Sequence, residues 1–341
     1  YQDGDENIVN QDQDGEFNYA KADQDGNMNI STQTQKEIFD DGEVARRNRA
    51  ISYQDGDENI SSQTQLDVRN FAYVEQNGNK GRAVQEQEDY NHDAYIKQGR
   101  NGEENDAYQS QKGERNLAKF YQNWGNTGGN NTAEQRQEGL NNWAFAYQKG
   151  TGHYARQNQY GEINDAYSYQ NGDYRNDARQ WQSGDFNYAS AKQNYIISDG
   201  QGGNMSEQTQ NGDYNRSFVE QDGGADHTQD FYDWDGNYAG YFSYLHNDRS
   251  INNVAYSTQE GSKQTSYTLQ SGSDNMSTTD QYDYKNLSST QQDGIGNVST
   301  VRQDGRFKFA KTDALGEDSL SSSGKCTERE GASGGRVGGG G

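Results

Sequence analysis

The chain has 341 residues and a formal net charge of −23 at pH 7, with 53 Asp and Glu against 30 Lys and Arg. Only 28% of the residues are hydrophobic and the mean hydropathy is −1.36, which leaves too little apolar surface to fill ordinary globular cores against the entropy of ordering the chain. The acidic balance argues against nucleic acid and anionic membrane surfaces as partners, and no stretch is apolar enough for membrane insertion.

Such a composition suits a disordered chain or a repeat array, and three features favour the array. Proline is absent, where average usage would give roughly 17 in this length. A continuous β-ladder excludes proline because it has no backbone N–H to donate. Aromatic residues are abundant, with 25 Tyr, 11 Phe and 4 Trp, and the glycines recur at fixed offsets until the C-terminal end. The single Cys326 cannot form an intramolecular disulfide. The chain opens directly in a repeat at Tyr1 with no leader peptide, as a mature or truncated product would.

From the first residues the sequence advances in steps of eleven. Gln2-Asp3-Gly4 is followed by Asn7, Gln13-Asp14-Gly15 by Asn18 and Ala20, and Gln24-Asp25-Gly26 by Asn29 and Ser31. The pattern Q-x-G-x-x-N-x-[A/S]-x-x-x returns at Gln54, Gln65, Gln76 and Gln87, then at Gln137, Gln148 and Gln159, and again from Gln259 through Gln292 to Gln303. Two residues after the A/S position a second order appears: Gln11, Gln33, Gln63 and Gln85 alternate with Ala22, Ser52, Val74 and Ile96. The unit is therefore a pair of unlike strands, about 22 residues long. The phase survives irregular spacings, such as that between Gln33 and Ser52, which places the insertions in turns.

The marked positions are two residues apart, so in a β-strand they share one face. Each copy reads as a strand ending in a tight turn at x-G-x-x, where Gly takes a positive φ. Two such units close one coil, which predicts an all-β fold: a flat two-sheet β-solenoid with cross-β stacking. The predicted inward ladder comprises Gln13, Asn18, Ala20, Gln24, Asn29, Gln137, Asn142, Ala144, Gln148, Gln159, Asn164, Ala166, Gln170, Gln292, Asn297 and Ser299. The predicted turn glycines are Gly4, Gly15, Gly26, Gly139, Gly150, Gly161, Gly172 and Gly294. Tyr19, Tyr73, Tyr108, Tyr147, Tyr154, Tyr167, Tyr188 and Tyr238 fall on the outward phase, and from Gln259 onward the inward phase turns to Ser266, Thr268, Ser277, Thr279, Ser288 and Thr290. The array is expected over residues 1–312, with a flexible or capping Ser/Gly-rich tail over 313–341.

Gln13-Asp14-Gly15-Glu16-Phe17-Asn18-Tyr19-Ala20-Lys21-Ala22-Asp23-Gln24, Gln137 to Gln148 and Gln159 to Gln170 each carry the whole motif. In these residues the chain resembles the curlins, the subunits of bacterial curli fibres, over roughly residues 1–312. The resemblance implies a secreted subunit of an extracellular, cell-surface functional amyloid in biofilm matrix. It further implies head-to-tail self-assembly, a related nucleator subunit and an outer-membrane secretion pore as partners.

Other readings carry less weight. His92 and His153 occupy the Asn position, where replacement by another hydrogen-bonding side chain is a simpler account than metal binding or catalysis, and His227 and His246 add no ligand spacing. Asp3-Gly4-Asp5-Glu6 and Asp233-Trp234-Asp235-Gly236-Asn237 hint at calcium loops, but neither completes one. The sequons at Asn29, Asn59, Asn204 and Asn297 arise whenever the small position is Ser. No nucleophile–base pair or phosphate loop is present, so the sequence points to no enzyme, cofactor or metal. An ice-binding or surface-recognition solenoid and a disordered Gln/Asn-rich scaffold are the rival functions.

Overall fold

In the computed structural model the chain is all-β, built of parallel sheets stacked as a β-solenoid with about 23 residues per coil. The structure describes residues 1–36, 47–99, 101–123, 127–172, 175–193, 203–221, 227–232, 238–244 and 252–324. Asp233–Asn237, His246, Cys326 and the tail after Gly324 lie outside them, as do the side chains of His227 and Tyr238. The chain divides into two units, Tyr1–Arg179 and Gln180–Gly341.

In the first unit one sheet runs Gln2–Asp3, Tyr19–Asp25, Arg49–Asp55, Phe71–Gln76, Asp93–Gln98, Leu117–Gln122, Trp143–Gly150, Asp165–Gly172. The facing sheet runs Ile8–Gln13, Ile30–Lys36, Ile60–Leu66, Arg82–Tyr90, Asp106–Glu114, Thr132–Leu140, Tyr154–Glu162. Successive strands of the chain alternate between the sheets, and each pairs in parallel with the equivalent strand of the next coil. Like therefore lies on like: Ala133 pairs with Ala155, Gln135 with Gln157 and Gln137 with Gln159. The alternation in the sequence now has a physical meaning. Within this unit every inner Gln of the alternating position stands in the second sheet, and every Ala, Ser, Val, Ile or Phe stands in the first.

Side-chain parity sets burial. In Ile60–Leu66, Ser61, Gln63 and Gln65 are buried and the residues between them are not. Ala83, Ala107, Ala133 and Ala155 of the second sheet pack with Val74, Ile96, Phe120 and Ala146 of the first. The small position thus lets the sheets close on the larger side chains opposite.

All eight predicted turn glycines have positive φ, from 95° at Gly4 to 121° at Gly139. A Cβ on Gly139 would lie 2.0 Å from the carbonyl oxygen of Gly161 in the next coil, so close stacking as well as φ demands glycine there. A second left-handed residue precedes the Asn of many turns, as Glu6, Phe17, Met28, Asn141 and Ile163. Ile163, β-branched at φ 55°, holds this conformation under strain.

In the second unit one sheet runs Tyr188–Gln193, Arg216–Gln221, Thr265–Ser273, Leu287–Ile295, Phe309–Glu317, and the other Met205–Asn211, Val254–Ser262, Met276–Tyr284, Val298–Gln303, Leu320–Gly324. Between Arg216–Gln221 and Val254–Ser262 the chain makes an antiparallel hairpin of His227–Tyr232 with Tyr238–Tyr244. The coil resumes in register after it, with Gln210 still bonded to Gln259 and Gln221 to Gln270, 49 residues on.

Three expectations need correction. The array does not stop at Thr312: Phe309–Glu317 pairs with Leu287–Ile295, and Leu320–Gly324 with Val298–Gln303. The motif dissolves there because Ala314 and Lys308 replace the ladder Gln and Asn, while backbone pairing persists. Gln13 is exposed, and Asn18 and Ala20 are only half-buried; Ile8–Gln13 pairs with a strand on one side alone, so its side chains are covered less. Finally, the outward phase is not uniformly solvated: Tyr267, Leu269 and Leu287 are buried in a small apolar cluster with Phe218.

Candidate functional site

The chemically distinctive region is the core itself, where amide side chains run in rows along the stack. In the first sheet Gln24 donates through Nε2 to Oε1 of Gln54 at 2.7 Å, Gln54 to Gln76 at 2.9 Å and Gln76 to Gln98 at 2.9 Å. The row continues from Gln98 to Gln122, Gln148 and Gln170. The second sheet carries two such rows side by side, through Gln33, Gln63, Gln85 and Gln109, and through Gln35, Gln65, Gln87 and Gln111. Donation always runs toward the later coil.

The other amide hydrogen crosses the core. Gln63 donates to the Ile51 carbonyl at 3.0 Å, Gln85 to Tyr73 at 3.1 Å and Gln148 to Thr132 at 3.0 Å. Each carboxamide therefore ties its own coil together as well as joining it to the next. This answers how a core so polar is affordable at all: the buried Gln groups are bonded, and each such bond contributes about 1 kcal/mol net where an unmade one would cost more.

The Asn row works differently, and the side-chain-to-side-chain ladder expected for it does not form. Asn142 Oδ1 accepts the backbone N–H of Asn164 at 3.0 Å, and Asn142 Nδ2 donates to the Gly161 carbonyl at 2.8 Å. Asn59 does the same with the backbone N–H of Gly81 and the Gly78 carbonyl. Asn is thus a buckle for the turns, joining each to the turn above.

Gln24, Asn29, Gln137, Asn142, Ala144, Gln148, Gln159, Asn164, Ala166, Gln170, Gln292, Asn297 and Ser299 are all buried. Asn29, Asn59, Asn204 and Asn297 of the sequons are buried as well, which removes them from glycosylation in the folded coil. Buried Ser31, Ser61 and Ser206 make no protein hydrogen bond through their hydroxyls, so the small position selects size. Ser61→Ala is accordingly expected to stabilise the coil by about 1 kcal/mol, measured as a higher denaturation midpoint.

His92 and His153 reproduce the Asn buckle in an aromatic ring. Nδ1 of His92 accepts the backbone N–H of Asn116 at 3.2 Å and its Nε2 meets the Glu88 carbonyl at 2.7 Å. Nδ1 of His153 accepts from Asn176 at 3.2 Å, with Nε2 at 3.0 Å from the Gly172 carbonyl. These partners require the neutral Nε2–H tautomer. Burial pushes the His92 pKa down to about 4. Between its ordinary value of about 6.5 and 4 the unfolded chain binds a proton that the coil refuses, so this contribution is full above pH 6.5 and is lost as pH falls. Acidification from pH 7 to 4 should cost on the order of 3 kcal/mol at this residue. Unfolding titrations at both pH values should show a smaller loss in His92→Asn than in the parent chain.

The bonded amide rows and in-register turns are what the site consists of. No protein-family model matches the chain, and no curated protein matches it. Among the described residues no group of three or more His, Cys, Asp or Glu comes together that could hold a metal ion.

Two features of the core were missed in the sequence. The cross-core amide bonds are signalled only indirectly, by Gln being confined to alternate strands. The Gly carbonyl as partner of Asn leaves no mark beyond the fixed G-x-x-N spacing.

Proposed function

We propose that the chain is a structural subunit that polymerises head to tail with further copies of itself into an extracellular cross-β fibre, as the curlins do, and serves adhesion and scaffolding in biofilm matrix. The observation that carries this reading is the direction of the amide rows. Every coil in the first unit presents Oε1 acceptors toward the earlier coil and Nε2 donors toward the later one, as in Gln54, Gln76 and Gln98. A coil edge of one kind therefore complements the other kind and not itself, and the C-terminal coil, where Ala314 and Lys308 stand in place of the ladder Gln and Asn, keeps the same polarity through its parallel backbone edges, which favours a polar, heterologous and open-ended polymer over a closed dimer. The same rows tolerate inserts of very different length, so neighbouring coils need no covalent continuity at a set distance to stack.

A nucleator subunit with the same repeat and an outer-membrane pore would be its partners, the former recognised through the same stacked coil edges. The Thr rows that an ice-binding surface would need, at Thr268, Thr279 and Thr290, are buried. Growth of the purified chain from preformed fragments tests the proposal: added seeds should abolish the lag of thioflavin-positive assembly, and a persistently monomeric chain at high concentration would refute it.

A further inference from the structure

On the outer face of the first unit, aromatic side chains stack from coil to coil. Trp143–Gly150 and Asp165–Gly172 pair in parallel with Tyr147 directly opposite Tyr169. Their ring centroids are 5.3 Å apart with 30° between planes, closer and flatter than Tyr53–Tyr73 at 5.9 Å and 52° or Tyr73–Tyr95 at 6.3 Å and 42°. Immediately after the pair, Gln148 and Gln170 are locked by an amide bond of 3.0 Å, so the two backbones cannot slide apart. Both rings are half-buried, open to a small oxidant but partly shielded from another chain.

We propose that Tyr147 and Tyr169 form an oxidative cross-linking site, coupled to dityrosine by hydrogen peroxide and a peroxidase-type one-electron catalyst. Each phenol loses one electron and its hydroxyl proton. The two phenoxyl radicals join through a carbon–carbon bond between ring positions ortho to oxygen. The two ortho hydrogens then leave carbon and restore the hydroxyl groups as the rings regain aromaticity. Overall two electrons and two protons pass to one peroxide molecule, whose O–O bond breaks to give two waters. Held neighbours couple far faster than separate chains meeting by diffusion, because the reaction is effectively unimolecular. The product staples consecutive coils in a chain whose single cysteine cannot do so internally.

The test oxidises the folded chain with peroxidase and hydrogen peroxide, then maps cross-linked peptides by mass spectrometry in a mixture of isotopically light and heavy chains. The expected result is that Tyr147–Tyr169 is the dominant link, joins only light to light or heavy to heavy, and disappears in Tyr147→Phe, which keeps the stacked ring. Dityrosine fluorescence should fall by more than half in that variant. Coupling that instead follows exposure, concentrating on Tyr1, Tyr19 and Tyr214, at 78%, 48% and 40% exposed, would overturn the proposal. So would a Tyr147–Tyr169 link found between light and heavy chains.

Discussion

Truncating Phe120 to Ala is expected to destabilise the solenoid by about 3–5 kcal/mol, the usual cost of emptying a buried aromatic site. Phe120 is fully buried and is the largest such side chain among the described residues. It packs in one cluster with Ile96 and Ala146 of its own sheet and with Ala107 and Ala133 opposite. The sheets cannot close over the void, because the cross-core bonds of Gln109 to the Tyr95 carbonyl and Gln135 to the Lys119 carbonyl fix their separation on either side. The cavity term should therefore be near its full value. Denaturant unfolding would show a large fall in midpoint, with Phe120→Leu losing much less.

The second large effect is expected at Asn142→Asp. Asn142 is 1% exposed, accepts from the backbone N–H of Asn164 and donates to the carbonyls of Gly161 and, at 3.5 Å, Glu138. A carboxylate keeps the first bond and loses both donors, so two carbonyl oxygens face a buried negative charge. Leaving a charge uncompensated in such a place costs about 3–5 kcal/mol, and the group responds by raising its pKa. The penalty should accordingly shrink as pH falls, since the protonated acid regains one donor. A variant whose stability deficit does not depend on pH would show that the buckle is solvated. Tyr147→Ser, on the outer face, should cost only about 1 kcal/mol by comparison.

Much of this architecture is legible in the sequence because the repeat reports side-chain parity directly. Gln63, Gln85 and Gln109 recur in one strand class only, and that class proves to be one sheet. The turn glycines were equally plain, since φ and contact both forbid a Cβ at Gly139. What escaped is what parity cannot encode. An inward Asn looks the same whether it bonds another side chain, as first expected, or the backbone of the next turn, as Asn142 does. The motif gives out near Thr312 while backbone pairing outlasts it: Ala314 pairs opposite Gln292 with no amide to offer. The cluster of Tyr267, Leu269 and Leu287 leaves no mark in the repeat because those residues occupy the outward phase, which parity assigns to the surface.

Coils stacked in parallel and joined head to tail along one axis have a direct signature in X-ray diffraction from aligned assemblies of the purified chain. A meridional reflection near 4.7–4.9 Å, with an equatorial one near 10 Å from the facing sheets, is the predicted pattern. Strands lying along the fibre axis, or aligned samples lacking the meridional reflection, would contradict it.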